Sequence, residues 1–349
     1  MKHPFFEAQA DLQPHNSLQL PCIASWCCEA EDEGDVLEAC ALARRYGLPL
    51  LALGGGSNLL LPPRLEAVVL RQKAQPLEWP DPLPVDLTLR VSAGYSWTAL
   101  VEDTTQRGYY GLENLALIPG QAGAAPIQNI GAYGREIKDV LVGVEGYWVD
   151  SQQRDWIPAQ DCAFAYRMSR FKQDWRQRFI ITHVHIQLTQ QGELHLDYAD
   201  LRARFGARPA SDQPLPWQLA QIISQVRREK LPDPLQLPNA GSFFKNPVVS
   251  IEQAEQLRQL WPQLPVYPVN AQQVKLAAGW LIDQSGLKGW RQGAFAVHQQ
   301  QALVLVHHGG GSLEELLAFA SQIQQRVAER FAVQLEREPD SALRLFHAS

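Results

Sequence analysis

The sequence predicts a protein of mixed helices and strands that divides into two or three domains. Its 349 residues exceed the length that one hydrophobic core usually serves. Near the N-terminus an apolar segment, an amphipathic segment, a second apolar segment and a glycine cluster follow one another, as is typical of strand, helix, strand and loop. From residue 214 onward helical spacing predominates. Together with Pro209, Pro214 and Pro216, this change predicts a domain boundary near residues 205–215.

Composition and charge exclude several classes of protein. Hydrophobic residues make up 46% of the chain and charged residues 19%, which is typical of a globular protein and not of a disordered one. The 31 Lys and Arg against 37 Asp and Glu give a formal net charge of −6, and no basic stripe is dense enough for nucleic acid. No apolar run approaches the roughly 20 residues of a membrane span, and the first residues lack a signal peptide. We therefore expect a cytoplasmic monomer that binds neither nucleic acid nor membrane.

The cysteines are odd in number and follow no Cys-x-x-Cys spacing, which makes a disulfide framework or a zinc site improbable. In a long chain of this kind we expect them to be buried, reduced and structural, and we predict no metal site. They are Cys22, Cys27, Cys28, Cys40 and Cys162.

The first helix is predicted over residues 36–46. Asp35 and Glu38 have the spacing of a capping box, and Gly47 stands where such a helix would end. The short apolar segment 48–53 then predicts a buried strand that enters the glycine cluster.

Further elements follow from periodicity and caps. Alternating apolar and polar residues, with many β-branched side chains, indicate strands. Apolar residues three and four positions apart, with a Ser at the start, indicate helices. The predictions are a helix at 97–108, strands at 140–148 and 179–188, a helix at 217–230, a helix from Ser250 to 260, a strand at 302–307 and a helix from the capping box Ser312/Glu315 to 331.

The glycine cluster at residues 54–58, the first glycine loop, directly follows the predicted buried strand. Backbone N–H groups in such a loop can approach a phosphate without obstruction by side chains. It lacks the Gly-Lys-Ser/Thr of a Walker loop, and the G-x-G-x-x-G pattern fails at Leu59. The alternative is a tight turn with Asn58 in a left-handed conformation.

A second small-residue segment, residues 119–134 or the second glycine loop, adds another run of exposed backbone donors. Gln128 and Asn129 are its polar side chains in the central part. Two such loops flanking a cleft could hold an extended cofactor with a diphosphate. The alternative is an irregular buried connection.

Ser242 lies in a glycine turn between proline segments, with Lys245 and Asn246 beside it; we call residues 239–247 the serine turn. A serine hydrolase would need a base, for which His298 is the candidate, but no G-x-S-x-G elbow is present. A serine in such a turn is more often a cap. Arg167, after Tyr166, could clamp a carboxylate or pair with a structural acid.

Seven segments resemble the UDP-N-acetylenolpyruvoylglucosamine reductase family. They occur in the family's order and extend over nearly the whole chain, from about residue 15 to residue 340. They are residues 56–58, 111–134, 164–167, 230–234, 239–247, 274–284 and 296–304.

The resemblance implies an α+β architecture with an FAD-binding fold of the vanillyl-alcohol oxidase (PCMH) type. The implied division is two FAD-binding subdomains at 1–75 and 76–208, a smaller α+β substrate domain at 209–330 and a tail at 331–349 that returns to the active site. The implied FAD contacts are Gly54, Gly55, Gly56, Ser57, Asn58, Ile118, Pro119, Gly120, Gly123, Ala124, Gln128, Asn129 and Gly131.

The resemblance also implies a reaction in two halves. NADPH reduces FAD and leaves, and UDP-N-acetylglucosamine enolpyruvate then takes a hydride from flavin N5 at C3, as in peptidoglycan precursor synthesis. Arg167 and a tail acid would polarise the substrate carboxylate, and Ser242 would give a proton to C2. Because the tail departs from the family's usual Leu-Glu-Pro-Glu pattern, the acid is Glu338 in an ungapped match, with Glu336 and Asp340 as alternatives.

The implied contacts to the substrate, including its diphosphate, are Tyr198, Lys230, Asn246 and Gln301. Tyr198 matches a tyrosine loop that closes over substrate in the type I branch of the family, and the alternative is that it merely packs. One rival is another flavin oxidoreductase of the same fold acting on an alcohol or sugar, which would have no reason to keep Lys230, Ser242 and Asn246. Another is a non-catalytic nucleotide-sugar binding protein, which would not need both glycine loops.

Overall fold

The computed structural model describes residues 5–205 and 213–342. Their backbone divides into two compact units: unit 1 contains the described residues within 1–10, 24–55 and 66–227, and unit 2 contains those within 11–23, 56–65 and 228–349. The expected boundary at 208/209 lies outside the described residues, as do residues 343–349 of the expected tail. The division into three domains and a tail therefore stays a prediction.

Nineteen strands are present among the described residues, most of them short. In chain order they are β1 (Phe5–Asp11), β2 (Ile23–Ala30), β3 (Leu50–Ala52), β4 (Leu59–Leu60), β5 (Arg64–Gln72), β6 (Asp86–Ser92), β7 (Gly131–Ala132), β8 (Arg135–Glu136), β9 (Leu141–Trp148), β10 (Arg154–Pro158), β11 (Phe179–Thr189), β12 (Asn239–Ser242), β13 (Val248–Ser250), β14 (Val266–Pro268), β15 (Gln273–Leu276), β16 (Arg291–Gln292), β17 (Phe295–Val297), β18 (Val304–His307) and β19 (Asp340–Ser341).

Seven α-helices accompany these strands in the part of the chain that the structure describes. They are α1 (Glu33–Tyr46), α2 (Trp97–Gln106), α3 (Ala199–Phe205), α4 (Pro216–Lys230), α5 (Ile251–Leu260), α6 (Ala278–Gln284) and α7 (Leu313–Phe331). None of these described helices combines the length and the apolarity that crossing a bilayer requires.

Two four-stranded sheets form the frame of unit 1. Their strand orders are β1-β2-β5-β3, in which β3 runs parallel to β5, and β10-β9-β11-β6, which is antiparallel. The second sheet packs with α2 around the buried side chains of Trp97, Leu100 and Val184. Leu219 and Ile223 of α4 belong to the same core, although the sequence places this helix in the substrate domain.

Unit 2 contains a four-stranded sheet of order β12-β18-β17-β16 and a three-stranded sheet of order β13-β15-β14. Its core is rich in aromatic rings, with Phe243, Phe295 and Phe319 almost completely buried. Helix α7 lies along this core through a stripe of buried apolar residues spaced three and four apart. The serine turn is therefore anchored in this core through Phe243.

Local signals at helix ends are partly confirmed. Gly47 ends α1 in a left-handed conformation with φ 62°. The predicted start is wrong, because the Asp32 side chain accepts the N–H of Asp35 and the helix begins at Glu33. The Asp35 carboxylate instead accepts the N–H of Glu31.

The Ser caps of the C-terminal half are confirmed. Ser250 accepts the N–H of Gln253 and begins α5. Ser312 and Glu315 form both hydrogen bonds of a capping box at the start of α7.

The five cysteines are all buried and unbonded to one another, as predicted. Burial raises the pKa of the Cys28 thiol to about 12 and that of Cys40 to about 11. At neutral pH these thiols are protonated and behave as small apolar side chains.

A charge network crosses the sheet β10-β9-β11-β6 around Glu145. Its carboxylate accepts from Arg90 Nη2 at 2.9 Å and from Arg154 Nη2 at 2.5 Å, and His185 Nε2 lies 2.6 Å away. The hydrogen bond from Arg90 is the largest cause that holds the pKa of Glu145 far below its usual range. Beside it, burial lowers the pKa of His183 to about 4, and the positive charge of Arg90 adds to the effect.

This network makes the stability of unit 1 sensitive to acid. As the pH falls from 6.5 to about 4, the unfolded chain binds a proton at His183 that the native protein does not bind. We expect the melting temperature of the FAD-loaded protein to fall by at least about 3 °C over this window, measured by calorimetry. A His183→Asn variant should give a flatter profile, and parallel profiles for the two proteins would contradict the assignment to His183.

Candidate active site

The two glycine loops approach each other in unit 1. A Cβ atom on Gly55 would lie 3.2 Å from Gly120 Cα, and one on Gly54 would lie 3.1 Å from Gln121 Oε1. Any side chain at residue 55 would enter the space between the loops. This close approach supports the prediction that both loops serve one ligand.

The last three residues of the first glycine loop belong to unit 2. Gly56 has φ 58°, and a Cβ there would lie 2.2 Å from the carbonyl oxygen of His15. Its own carbonyl accepts the N–H of Ser17 at 3.2 Å. Gly56 is thus left-handed at a place where only glycine fits the close contact. The alternative with a left-handed Asn58 is wrong, because Asn58 is not among the described residues with positive φ.

The second glycine loop is not a run of free backbone donors. The N–H of Gly123 donates to Ala93 at 2.9 Å and that of Ala124 to Gln121 at 3.0 Å. A Cβ on Gly123 would lie 2.5 Å from the Ala93 Cβ. Small residues here permit tight packing, so the expectation of a run of exposed backbone donors is wrong at Gly123 and Ala124. The FAD contacts of these two residues stay a prediction.

Asn129 fastens this loop to its surroundings. Its side chain is completely buried, and Nδ2 donates to Glu136 Oε2 at 2.9 Å and to the Ala165 carbonyl at 3.0 Å, while Oδ1 accepts from Lys138 N–H at 3.3 Å. The amide therefore joins the loop to the turn before Arg167. Among the other predicted FAD contacts here, Ile118 and Gln128 are half-buried and Pro119 is exposed.

Arg167 is held in an unusual backbone conformation, with φ 54°. Its Nη2 donates to the carbonyl oxygen of Gly131 at 2.8 Å, and a Cβ on Gly131 would lie 3.2 Å from Nη1. The missing side chain of Gly131 thus allows the guanidinium to pack against the loop. A non-glycine residue with positive φ costs on the order of 1–3 kcal/mol, and such residues cluster at functional sites.

The sequence patterns did not single out two further residues of this region, Tyr133 and Arg227. Burial lowers the pKa of the Arg227 guanidinium, Tyr133 raises it and the charge of Arg167 lowers it. Within the described residues, Arg227 Nε is buried without a hydrogen-bond partner. Neighbouring guanidinium groups favour an anionic ligand such as a carboxylate or phosphate. The one signal in the sequence was that Arg227 precedes Lys230 by three residues on α4.

Tyr198 stands immediately before α3. It is 45% exposed, its ring packs edge-on against the Tyr133 ring at 5.1 Å, and its carbonyl accepts the N–H of Leu201. Its ring thus contacts the second glycine loop at Tyr133, which leaves the alternative that it merely packs open. Its predicted contact with substrate stays a prediction.

In unit 2, Ser242 ends β12 directly after Gly241, which has φ 65°. The next N–H, of Phe243, donates to Leu303 at 2.7 Å. Among the described residues the half-buried Ser242 hydroxyl has no hydrogen-bond partner. His298 Nδ1 accepts the N–H of Gln301 at 3.2 Å and makes no described bond to Ser242, so the hydrolase alternative lacks its catalytic pair.

The structure brings Asn246 and Gln301 together at the start of α6. Asn246 Oδ1 accepts the N–H of Ala278 at 3.0 Å, and Gln301 Oε1 lies 3.3 Å from the position of a Cβ on Gly279. Lys230, the last residue of α4, is exposed. The shared position of the two amides supports a common ligand.

The C-terminal tail, residues 335–341, pairs with the serine turn. The N–H of Glu338 donates to Phe243 at 2.9 Å, the N–H of Lys245 donates to Glu336 at 2.9 Å, and Phe244 and Arg337 form an antiparallel bridge. Glu338 thus lies across from the residue that follows Ser242. Among the three acids, this placement favours Glu338.

Comparison with known proteins identifies the family. Residues 25–149 match an FAD binding domain, and residues 233–342 match the C-terminal domain of UDP-N-acetylenolpyruvoylglucosamine reductase. The reductase of this name from Pseudomonas aeruginosa is 46% identical over 334 residues, which is 96% of this chain and 98% of that protein. The chain belongs to the UDP-N-acetylenolpyruvoylglucosamine reductase family. This reductase is therefore an FAD-binding oxidoreductase, and the family, enzyme class and cofactor expected from the sequence are confirmed.

Two solved structures bear on the fold. The reductase from Thermus caldophilus has a TM-score of 0.65 at 22% identity, covering 98% of this chain and 99% of that one. The 6-hydroxy-D-nicotine oxidase from Arthrobacter nicotinovorans has a TM-score of 0.54 at 12% identity, covering 96% and 87%. The predicted α+β class with a PCMH-type FAD-binding fold is confirmed.

The glycine loops fit FAD. Gly55 faces the backbone of Gly120, and Gly54 beside it faces the side chains of Gln121 and Ala124; a Cβ on either glycine would enter this narrow space. A cofactor diphosphate needs this kind of close backbone approach. These residues would hold the diphosphate through N–H groups, which explains how an acidic protein binds an anionic cofactor.

Gly55→Ala should weaken FAD binding to the reductase by about tenfold, because the new methyl group enters the space between the loops. Flavin fluorescence during titration of the apoprotein measures the affinity. Gly34→Ala is the matched control, since its Cβ meets only the Asp32 carboxylate at 3.1 Å. Equal affinities for the two variants would contradict a cofactor site between the loops.

Proposed function

We propose that this protein reduces UDP-N-acetylglucosamine enolpyruvate to UDP-N-acetylmuramate with NADPH, a step of peptidoglycan precursor synthesis. The observation that carries the proposal is the identity of 46% over 96% of the chain to a curated reductase. When bound, FAD would carry a hydride from NADPH to C3 of the substrate. Side chains of this protein donate the proton, stabilise the developing charge and bind the substrate.

Ser242 gives the proton to C2. A serine hydroxyl is a weak acid, so it serves only where the acceptor carbon is strongly basic, as it is after hydride addition beside a carboxylate. The hydroxyl has no competing partner among the described residues, and the glycine turn at φ 65° fixes where it projects. It is therefore placed to act on a bound ligand.

Arg167 and Glu338 stabilise the charge that develops on the substrate carboxylate. An enol ether is a poor hydride acceptor until its carboxylate is polarised towards an enolate. A guanidinium meets a carboxylate with two parallel hydrogen bonds, and a glutamic acid in its protonated form donates a third. Arg167 is held for this role by the Gly131 carbonyl and Glu338 by its backbone bond to Phe243.

In this proposal the nucleotide diphosphate is bound by Tyr198, Lys230, Asn246 and Gln301. Asn246 uses its oxygen to hold α6, which leaves its NH₂ group for the ligand.

An NADPH-dependent enzyme with five buried free thiols fits the reducing cytoplasm. We infer that it works there as a monomer, without nucleic acid or membrane.

The two half-reactions separate the roles. In anaerobic stopped-flow experiments, NADPH should bleach the flavin band and the enolpyruvyl substrate should restore it. Ser242→Ala should leave bleaching within about twofold of the parent and slow recolouring by at least about 1,000-fold, since only the second half needs its proton. Ser285→Ala, whose hydroxyl donates to Leu281 at the end of α6, is the control.

Two results would contradict the proposed function. One is a purified protein that takes up no flavin, and the other is a flavin that NADPH bleaches and the substrate does not recolour. Equal losses in both half-reactions of Ser242→Ala would make this serine structural.

Glu338→Gln should slow recolouring by about 100- to 10,000-fold with bleaching unchanged, because an amide stabilises the enolate less well than a carboxylic acid. Asp340→Asn is the matched variant two residues on, where β19 pairs with β4. We expect it to recolour within about threefold of the parent. The reverse ranking would move the acid to Asp340.

A further inference from the structure

Lys245 is the one strongly charged side chain of the serine turn, three residues after Ser242. Its position next to Asn246 makes its ammonium group a candidate for binding the substrate's diphosphate. The structure uses this group differently. Lys245 is 9% exposed, and its Nζ lies 2.5 Å from Glu336 Oε1.

Lys245 binds Glu336 twice. Besides the ion pair, its backbone N–H donates to the Glu336 carbonyl at 2.9 Å. The two residues are 91 positions apart in sequence. A buried ammonium is costly unless it is paired, so this pair fixes where the tail crosses the serine turn.

A second attachment holds the other side of the tail. Arg337 Nη2 lies 3.2 Å from Ser321 Oγ and 3.4 Å from Gln324 Oε1 on α7, and Gln324 Nε2 donates to the Leu335 carbonyl at 2.7 Å. Successive residues of an extended chain point to opposite sides. With Arg337 directed to α7 and Glu336 to Lys245, the rotation of the tail about its own axis is fixed.

Glu338 is the residue that this fixed rotation controls. It follows Glu336 by two and so shares its side of the tail. Its N–H is bonded to Phe243, and beyond it the N–H of Asp340 donates to Asn58 at 3.1 Å. Glu338 therefore lies between two anchored points of one extended segment.

We propose that Lys245 is a positioning residue, whose ion pair with Glu336 holds the tail in the rotation that presents the Glu338 carboxyl group beside the Ser242 turn. This rests on the proposed function, in which Glu338 stabilises the substrate carboxylate. In this proposal Lys245 acts through Glu336 and makes no contact of its own with substrate or cofactor. Glu336, on the same grounds, is the second positioning residue and not the tail acid.

Lys245→Met and Glu336→Gln test the proposal together. Both break the same ion pair, so each should slow substrate-dependent recolouring of the flavin by about tenfold or more, with bleaching by NADPH within about twofold of the parent. The double variant should be no slower than the slower single variant. Lys245→Arg, which keeps the charge, should recover most of the rate. Lys288→Met, which removes the lysine of the exposed pair with Asp283 at 3.3 Å, is the control and should match the parent.

The substrate concentration that gives half the maximal recolouring rate separates positioning from binding. If Lys245 bound the diphosphate, Lys245→Met would raise this concentration, while Glu336→Gln would free the ammonium and leave it unchanged or lower it. Positioning predicts that both variants lower the maximal rate and leave the concentration within about threefold. Because Glu336 is 72% exposed, Glu336→Gln tests the proposal even where Lys245→Met does not fold.

A parental rate in Glu336→Gln, or opposite shifts of the half-saturating concentration in the two variants, would overturn the proposal. That outcome differs from failure of the proposed function, in which the parent protein itself is not recoloured by the substrate.

Discussion

The backbone pairing of the C-terminal tail with the serine turn is the constraint on which the account of unit 2 depends. Two segments that are about 90 residues apart in sequence are joined by the hydrogen bonds from Glu338 to Phe243 and from Lys245 to Glu336. A carboxyl group on a free C-terminal segment would sample many positions at an entropic cost, and the pairing removes that freedom before any ligand binds. The aromatic core around Phe243 then makes the turn itself rigid.

Unit 1 depends on a different physical feature, the absence of side chains at particular places. Gly55 lets one loop approach the other, Gly123 packs on Ala93, and Gly131 admits the guanidinium of Arg167. These are three separate reasons for small residues in one region. In the proposed function, backbone groups and a few cations bind the anionic ligands, so the formal net charge of −6 says little about which ligands the protein takes.

Features set within one or two turns of chain could be predicted from the sequence. Gly47 ends its helix, and Ser312 begins another, because the groups that they satisfy lie a few residues away. Even so, Asp32 and Asp35 are both candidate helix caps. The sequence pattern predicted Asp35, whereas the cap is Asp32. The motifs of the serine turn and the glycine loops were recognisable, and the family resemblance gave them roles that spacing alone could not.

Contacts between distant segments could not be predicted. Arg227 lies by Arg167, and Lys245 by Glu336, only because the fold brings distant parts of the chain together. Hydrogen–deuterium exchange of the tail in the FAD-loaded protein without substrate tests the central claim most directly. If the N–H of Glu338 is bonded to Phe243, its amide should exchange at least about 100-fold more slowly than in an unstructured peptide. Exchange at the unstructured rate, with α7 still protected, would contradict it.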